Sequence, residues 1–104
     1  MEKTIKTTMG ELTLHKVNYQ VNGSLAITIT ESDGLPFATL TVNFPEVQDQ
    51  LNALGEKDNC VYVVVKNYDE NEWANEFLDL GLFEATGNHI ESGFCRYPIW
   101  KVLF

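Results

Sequence analysis

The residues of this chain best suited to nucleophilic chemistry are two cysteines and two histidines. A cysteine acts as a nucleophile when a base and an orienting group lie beside its sulfur. His89 precedes Cys95 by six residues, so these two side chains could be close together, while Cys60 and His15 are the other candidates. No nucleophile-elbow motif surrounds either cysteine. We therefore predict no catalytic residues and expect a protein that is not an enzyme.

The two cysteines lie in apolar segments that are typical of strands. Two cysteines without CxxC spacing are too few for a disulfide scaffold, so we predict buried free thiols. A Cys60–Cys95 bridge would require the two strands to be neighbours.

A group of carboxylates near position 70 comes closest to a metal site. Asp69, Glu70 and Glu72 surround Asn71, and calcium prefers such oxygen ligands. The segment lacks the glycine and the distal glutamate of a calcium loop, and Asp69 and Asn71 are typical caps of a helix start. We predict no metal. Because no glycine-rich phosphate loop is present either, we also predict no cofactor.

Charge is distributed unevenly along the chain. No lysine or arginine occurs from Asn67 to Cys95, a segment we call the base-free run, although it contains seven acids. Such a run is usually a solvated face that keeps a small protein soluble. The functional interpretation is an electrostatic surface for a basic partner. The candidate partner-binding residues are Asp69, Glu70, Glu72, Glu76, Asp79 and Glu84.

A second candidate site lies near the C-terminus. We expect His89, Arg96 and Tyr97 to line a ligand groove between residues 85–93, a loop or a small hairpin, and the C-terminal strand. Tyrosine is enriched at binding hot spots, although aromatic residues in so small a domain more often belong to the core.

Composition limits the classes of function. A chain of 104 residues is enough for one domain, spanning 1–104. Fifteen acids against seven bases give a net charge of −8, which argues against direct binding of nucleic-acid phosphates. The same charge permits a protein partner with a basic surface. We find no signal peptide and no apolar run of about 18–20 residues, so we predict a cytoplasmic protein without membrane contact.

A helix over 68–82 is predicted to position the acids. Trp73, Phe77 and Leu80 recur at the helical period and form one narrow apolar stripe. Gly81 follows the last periodic residue, which predicts a glycine C-cap in which the next residue folds back. A stripe this narrow predicts that the helix packs on one face of a sheet.

The N-terminal part predicts a meander of three strands over 11–21, 24–32 and 35–44. In the first strand the apolar positions change parity, which predicts a bulge near positions 15–16. The face of the meander opposite its large apolar residues carries threonines, as a solvated sheet face does.

The two turns of the meander differ in how well the sequence defines them. The first could be a two-residue loop at 22–23 or a three-residue loop at 22–24, and we prefer the longer loop because it keeps the large apolar residues on one face. The second is predicted as a two-residue loop that pairs Ile29 with Ala38.

The remaining segments complete the predicted fold. Residues 45–59 read as a connection with one or two helical turns closed by Gly55. Residues 60–65 are continuously apolar and predict a strand that is buried on both faces or central in the sheet. Residues 94–104 predict an edge strand or one bulged at Pro98. The fold class is therefore α+β, an antiparallel sheet of about five strands with one main helix packed on one face.

Three segments carry a resemblance to a known family: GLPFATLTVNFP at 34–45, FLDLGL at 77–82 and SGFCRYP at 92–98. Together they resemble a family of small proteins from gut bacteria and their mobile elements, known as a domain of unknown function. ATLTVNFP and SGxxxYP are the most specific parts, and the likeness covers most of the chain. The resemblance implies plasmid, conjugative-element or phage cargo, and it implies no catalytic residues.

Three functions follow as hypotheses. The first is a non-enzymatic interaction protein that presents Glu72, Glu76 and Asp79 to a basic surface, as a counter-defence inhibitor or nucleic-acid mimic. The second is a small-molecule-binding module or minor enzyme with a site between the 85–93 loop and the C-terminal strand. The third is a structural homodimer joined through an exposed strand edge.

Overall fold

The computed structural model of the chain describes residues 2–20, 23–66 and 74–104. The described elements, in chain order, are β1 (Glu2–Thr7), β2 (Gly10–Asn18), β3 (Leu25–Glu31), β4 (Pro36–Thr39), α1 (Pro45–Asp58), β5 (Val61–Val64), α2 (Asn75–Asp79), β6 (Phe83–Ser92) and β7 (Cys95–Val102). The strands form a first sheet in the order β1-β2-β3-β4 and a second sheet in the order β5-β7-β6. The prediction of an antiparallel α+β fold with an N-terminal meander is confirmed. The prediction of a single sheet of about five strands is wrong.

The two sheets share one apolar core. Each sheet has an inner face that packs against the other, and the buried residues between them include Leu14 and Ile27 from the first sheet and Val63 and Trp100 from the second. The sheets are joined by a seam between 40–42 and 64–66. In this seam the Val42 amide donates to the Val64 carbonyl at 3.0 Å, and the Lys66 amide donates to the Leu40 carbonyl at 3.0 Å. Two half-buried sheets thus cover each other's apolar faces.

The main helix is α1, in the segment predicted as a connection. Its 14 residues begin with Pro45, which suits the first helical turn because proline has no amide hydrogen to leave unpaired. The helix continues past Gly55 and ends at Asn59, whose φ of 56° is left-handed. The prediction that Gly55 closes this helix is therefore wrong, because Asn59 takes the capping conformation instead.

Helix α1 covers the outer face of the second sheet. Leu51 packs there against Val64 and Ile99 in a second buried cluster. Because the inner face of the same sheet joins the shared core, the chain is buried on both sides at Val63, Val64 and Val65, whereas Val61 at the start of β5 is exposed. The prediction of burial on both faces is confirmed for residues 63–65, and β5 lies at one end of its sheet, not at the centre.

Helix α2 is the described part of the helix predicted over 68–82; Trp73 and the rest of 67–73 lie outside the described residues. The predicted glycine C-cap is confirmed, since Gly81 has a φ of 76° and the Leu82 amide donates to the Phe77 carbonyl at 3.2 Å. The predicted stripe holds only in part. Phe77 is fully buried in the shared core, whereas Leu80 is exposed.

The first hairpin differs from both predicted registers. Strands β2 and β3 pair without interruption from Leu12 opposite Glu31 to Asn18 opposite Leu25, so the predicted bulge is absent from this pair. The loop between the strands is consequently longer than either alternative. The parity change is accommodated by leaving Val17 exposed while the ladder continues without interruption.

Two further differences concern strands. The predicted pairing of Ile29 with Ala38 is confirmed, but the register shifts next to it, so that Thr30 pairs with Pro36. Residues 85–93, predicted as a loop or a small hairpin, instead form most of β6, a ten-residue strand that pairs with β7. Its turn residues Gly87 and Gly93 have positive φ within and just beyond the strand, where glycine adds no steric cost.

Candidate functional site

The acids of the base-free run occupy different environments. Asp69, Glu70 and Glu72 lie outside the described residues. The carboxylate of Glu76 accepts hydrogen bonds from the amide and the hydroxyl of Thr8, both at 2.9 Å. These two bonds tie α2 to the turn between β1 and β2, so part of the predicted acidic surface has a structural role.

The other two described candidates face solvent. Asp79 is exposed at the end of α2, and Glu84 is exposed at the start of β6. Glu84 stands opposite Lys101 across the β6–β7 pair. The prediction that these acids contact a partner stays a prediction.

The role of Glu76 can be separated from that of a surface acid by stability measurements. Hydrogen bonds to a charged group contribute about 1.5–3 kcal/mol, and solvent exposure places this pair near the lower limit. We expect Glu76→Ala to lower the free energy of unfolding by about 1–2 kcal/mol, measured by urea denaturation. The control is Asp79→Ala in the same helix, for which we expect a change within about 0.5 kcal/mol. Equal effects of the two substitutions would contradict a special role for Glu76.

The structure brings His89 and Arg96 together but places Tyr97 elsewhere. His89 Nε2 lies 3.4 Å from Glu91 Oε1, and Arg96 Nε lies 3.3 Å from the same oxygen. Tyr97 lies on the opposite face of the hairpin, where its ring packs edge-on against Phe44 with the centroids 5.0 Å apart. Partial burial, followed by the neighbouring Cys95, raises the pKa of Tyr97. The three residues therefore do not line one groove.

The cysteines and histidines assemble no nucleophile–base pair within the described residues. Cys60 and Cys95 are free thiols. Strands β5 and β7 are neighbours, but Val61 pairs with Val102, so the two cysteines lie at opposite ends of the pair. The thiol of Cys95 lies on the face opposite His89. The prediction of free thiols is confirmed, although both side chains are only partly buried.

His15 belongs to a separate row of hydrogen-bonded side chains on the outer face of the first sheet. Its Nδ1 lies 3.2 Å from a Glu2 oxygen, and its Nε2 lies 2.8 Å from the Thr30 hydroxyl. Carboxylate, imidazole and hydroxyl are in the order that a catalytic triad uses. They lie on an open sheet face, however, and a substrate site also needs a concave surface and oxyanion donors.

A concave site that the sequence did not indicate lies between α1 and the outer face of the second sheet. Its volume is about 350 Å³, and we call it the α1 groove. Tyr62, Lys101 and Glu84 form a row across its floor, because Lys101 pairs with Tyr62 on one side and with Glu84 on the other. Leu51 and Leu54 of the helix form the opposite wall. The only sequence signal for this face was a single lysine, Lys101, within the otherwise apolar segment 99–103.

An irregularity in β6 shapes one end of the α1 groove. Between the pairs Ala85–Trp100 and His89–Pro98, three residues of β6 oppose one residue of β7. Thr86 fixes this bulge, because its hydroxyl donates to the Ile99 carbonyl at 2.7 Å and accepts from the Asn88 amide at 3.1 Å. Thr86 and Asn88 both line the groove, as expected of a bulge that redirects side chains.

Tyr62 separates the α1 groove from a second hollow. This hollow has a volume of about 490 Å³ and is lined by Tyr62, Asn52, Glu56 and Cys60. The Tyr62 hydroxyl donates to Asp58 Oδ2 at 2.9 Å. The Cys60 side chain and then Asp58 raise the pKa of Tyr62 well above its usual range, because both neighbours stabilise the protonated phenol and repel the phenolate.

The described part of the chain offers neither a metal-binding cluster nor a membrane-spanning helix. In the ranges 2–20, 23–66 and 74–104, no three His, Cys, Asp or Glu side chains are grouped so that they could hold a metal ion. No helix in this part of the chain is long and apolar enough to cross a membrane.

Comparison with known proteins identifies a family. The family described as "Domain of unknown function (DUF4313)" matches residues 13–104. No curated protein and no solved structure matches the chain. The predicted resemblance to a domain of unknown function is confirmed at this level. Because the match spans most of the sequence, the chain belongs to the DUF4313 family.

Proposed function

We propose that this protein is a non-enzymatic, cytoplasmic interaction domain that binds a protein partner with a basic surface. The observation that carries the proposal is the unneutralised negative charge. Within the described residues the ion pairs are His15–Glu2, His89–Glu91 and Arg96–Glu91. The other described acids form no ion pair, and most are exposed. Much of the net charge of −8 is therefore available to a partner.

The proposed contact surface is the base-free run. It includes Asp79 and Glu84, which are exposed, and Asp69, Glu70 and Glu72 from the sequence. Glu76 is left out as a primary contact, because its carboxylate is already bound by Thr8.

Helix α1 carries a second acidic surface. Glu46, Asp49 and Glu56 are exposed on this helix, and Lys57 is its only base. The acids of α1 are less dense than those of the base-free run and are partly offset by Lys57. We therefore use them as a comparison surface.

The resemblance to proteins of gut bacteria and their mobile elements supports a finer proposal. Plasmids, conjugative elements and phages benefit from inhibitors of host defence, and defence nucleases bind nucleic acid in basic grooves. We propose that this protein acts as a nucleic-acid mimic that occupies such a groove, as a counter-defence inhibitor of the anti-CRISPR kind.

The test compares three double charge reversals that change the net charge equally. Glu72→Lys/Asp79→Lys alters the base-free run, Asp49→Lys/Glu56→Lys alters α1, and Glu11→Lys/Glu31→Lys alters the first sheet. Glu46 is left unchanged because an acid in the first turn stabilises the helix. Each tagged variant and the wild type capture proteins from host lysate at increasing salt, and bound proteins are identified by mass spectrometry.

We expect one basic partner that the wild type and the two comparison variants capture and that the base-free-run variant loses. Capture should weaken as salt rises, because exposed charge contacts are screened. Equal loss in all three variants would show that only net charge matters, and capture that resists salt would contradict an electrostatic contact.

The same samples test the predicted homodimer through their molecular mass. Strand β6 is one free edge of the second sheet. Its bulge and its acids Glu84 and Glu91 oppose edge-to-edge pairing, so we expect a monomer.

A further inference from the structure

Lys101 is the central residue of the α1 groove. It lies on β7, the middle strand of the second sheet, and is half-buried beneath α1. Its cross-strand neighbours on this face are Tyr62 and Glu84. A lysine in this position brings a positive charge to the floor of a partly apolar cavity, in a protein that is otherwise strongly acidic.

Lys101 and Glu84 are not paired with each other. Although they are directly opposite, no ion pair or hydrogen bond joins either side chain to another described residue. A partly desolvated ammonium without a partner favours an anionic group nearby. The adjacent carboxylate similarly favours a cation. The groove thus presents one site of each sign, side by side.

The rest of the groove is aliphatic and small. Leu51 and Leu54 of α1 and Ile99 of β7 form its apolar lining. Its volume of about 350 Å³ lies near the lower limit of ligand pockets, which span roughly 300–1,000 Å³. The β6 bulge places Asn88 at the rim, where its side-chain amide can bind a further polar group.

We propose that the α1 groove binds a small zwitterion with an aliphatic body, the class to which free branched-chain amino acids belong. Lys101 binds its carboxylate, Glu84 binds its ammonium, and the leucines of α1 bind the aliphatic side chain. A simple carboxylate would lie beside Glu84 and be repelled. A simple amine would lie beside the Lys101 ammonium and be repelled by it. Only a ligand with both charges satisfies both groups.

The test titrates three related compounds into the full chain and follows amide signals by NMR. L-leucine carries both charges, 4-methylpentanoate carries only the carboxylate, and 3-methylbutylamine carries only the ammonium. We expect saturable binding of leucine with shifts near residues 54, 84–88 and 99–101. Each half-ligand should bind at least about tenfold more weakly, because it loses one charge-assisted contact.

Two variants assign the contacts. Lys101→Met and Glu84→Gln should each weaken leucine binding at least about tenfold. The matched controls Lys66→Met and Glu11→Gln, at exposed sites outside the groove, should leave it unchanged. Absence of saturable leucine binding to the wild type overturns the proposal, as does a half-ligand that binds as well as leucine. Both of these results come from the unmodified protein, so they hold even if a variant fails to fold.

Discussion

Replacement of Phe77 by alanine is expected to lower the free energy of unfolding by about 3–5 kcal/mol, the usual cost of removing a buried phenylalanine. Its side chain is 0% exposed, and its ring lies 6.4 Å from that of Phe83. Phe77 belongs to the core that both sheets share, so the cavity opens where the two layers meet. A small domain has a total stability of about 5–15 kcal/mol, so urea denaturation should show a large shift of the midpoint.

Leu80 provides the matched control for Phe77. The sequence places both residues on one apolar stripe, whereas in the structure Leu80 is 45% exposed. We expect Leu80→Ala to cost less than about 1 kcal/mol, because much of its apolar surface already contacts water. Similar losses for the two substitutions would contradict the packing of α2 described above.

Gly55→Ala is the second substitution with a large expected effect. The sign of the change in stability distinguishes a gain from helix propensity from a loss caused by steric overpacking. Alanine stabilises a helix interior by about 1 kcal/mol relative to glycine. At position 55, however, an added Cβ would lie 2.5 Å from the carbonyl oxygen of Cys60, which is a backbone atom. Overpacking against a backbone atom costs typically about 1–3 kcal/mol. We therefore expect a net loss of stability, measured by thermal and urea denaturation.

Ala53→Gly is the control for this experiment, because residue 53 is exposed on the same helix. It should destabilise by about 1 kcal/mol through helix propensity alone. If propensity were the only term, Gly55→Ala would give the opposite change of similar size. A gain in stability from Gly55→Ala would show that the helix can move away from Cys60.

Features determined by neighbouring residues were predictable from the sequence. The cap at Gly81, the pairing of Ile29 with Ala38 and the buried strand around Val63 each depend on a few adjacent side chains or on one turn. The length of α1 was not predictable in the same way. Gly55 resembles a helix end, and only the approach of the Cys60 carbonyl shows that it is there to admit a close contact.

The candidate sites depend on contacts between residues that are far apart in the sequence. The α1 groove exists because β7 pairs with both β5 and β6, which places Lys101 between Tyr62 and Glu84. No local pattern predicts that β7 would lie between the other two strands. Likewise, the sequence shows Glu76 as one acid among many, and its bond to Thr8 links residues that are 68 positions apart. Carboxylates can be counted from the sequence, whereas the distant group that hydrogen-bonds to one of them cannot be identified from it.

The seam between the two sheets has a consequence for the order of folding. The meander β1–β4 and the hairpin β6–β7 join strands that are adjacent in sequence, so each can form with little loss of chain entropy. The amides of Val42 and Lys66, in contrast, form their hydrogen bonds only when the two sheets have packed together, although α1 separates these residues in the sequence. Their hydrogen exchange therefore reports the separation of the layers, and a sub-global opening of the molecule would deprotect these amides before those inside either sheet.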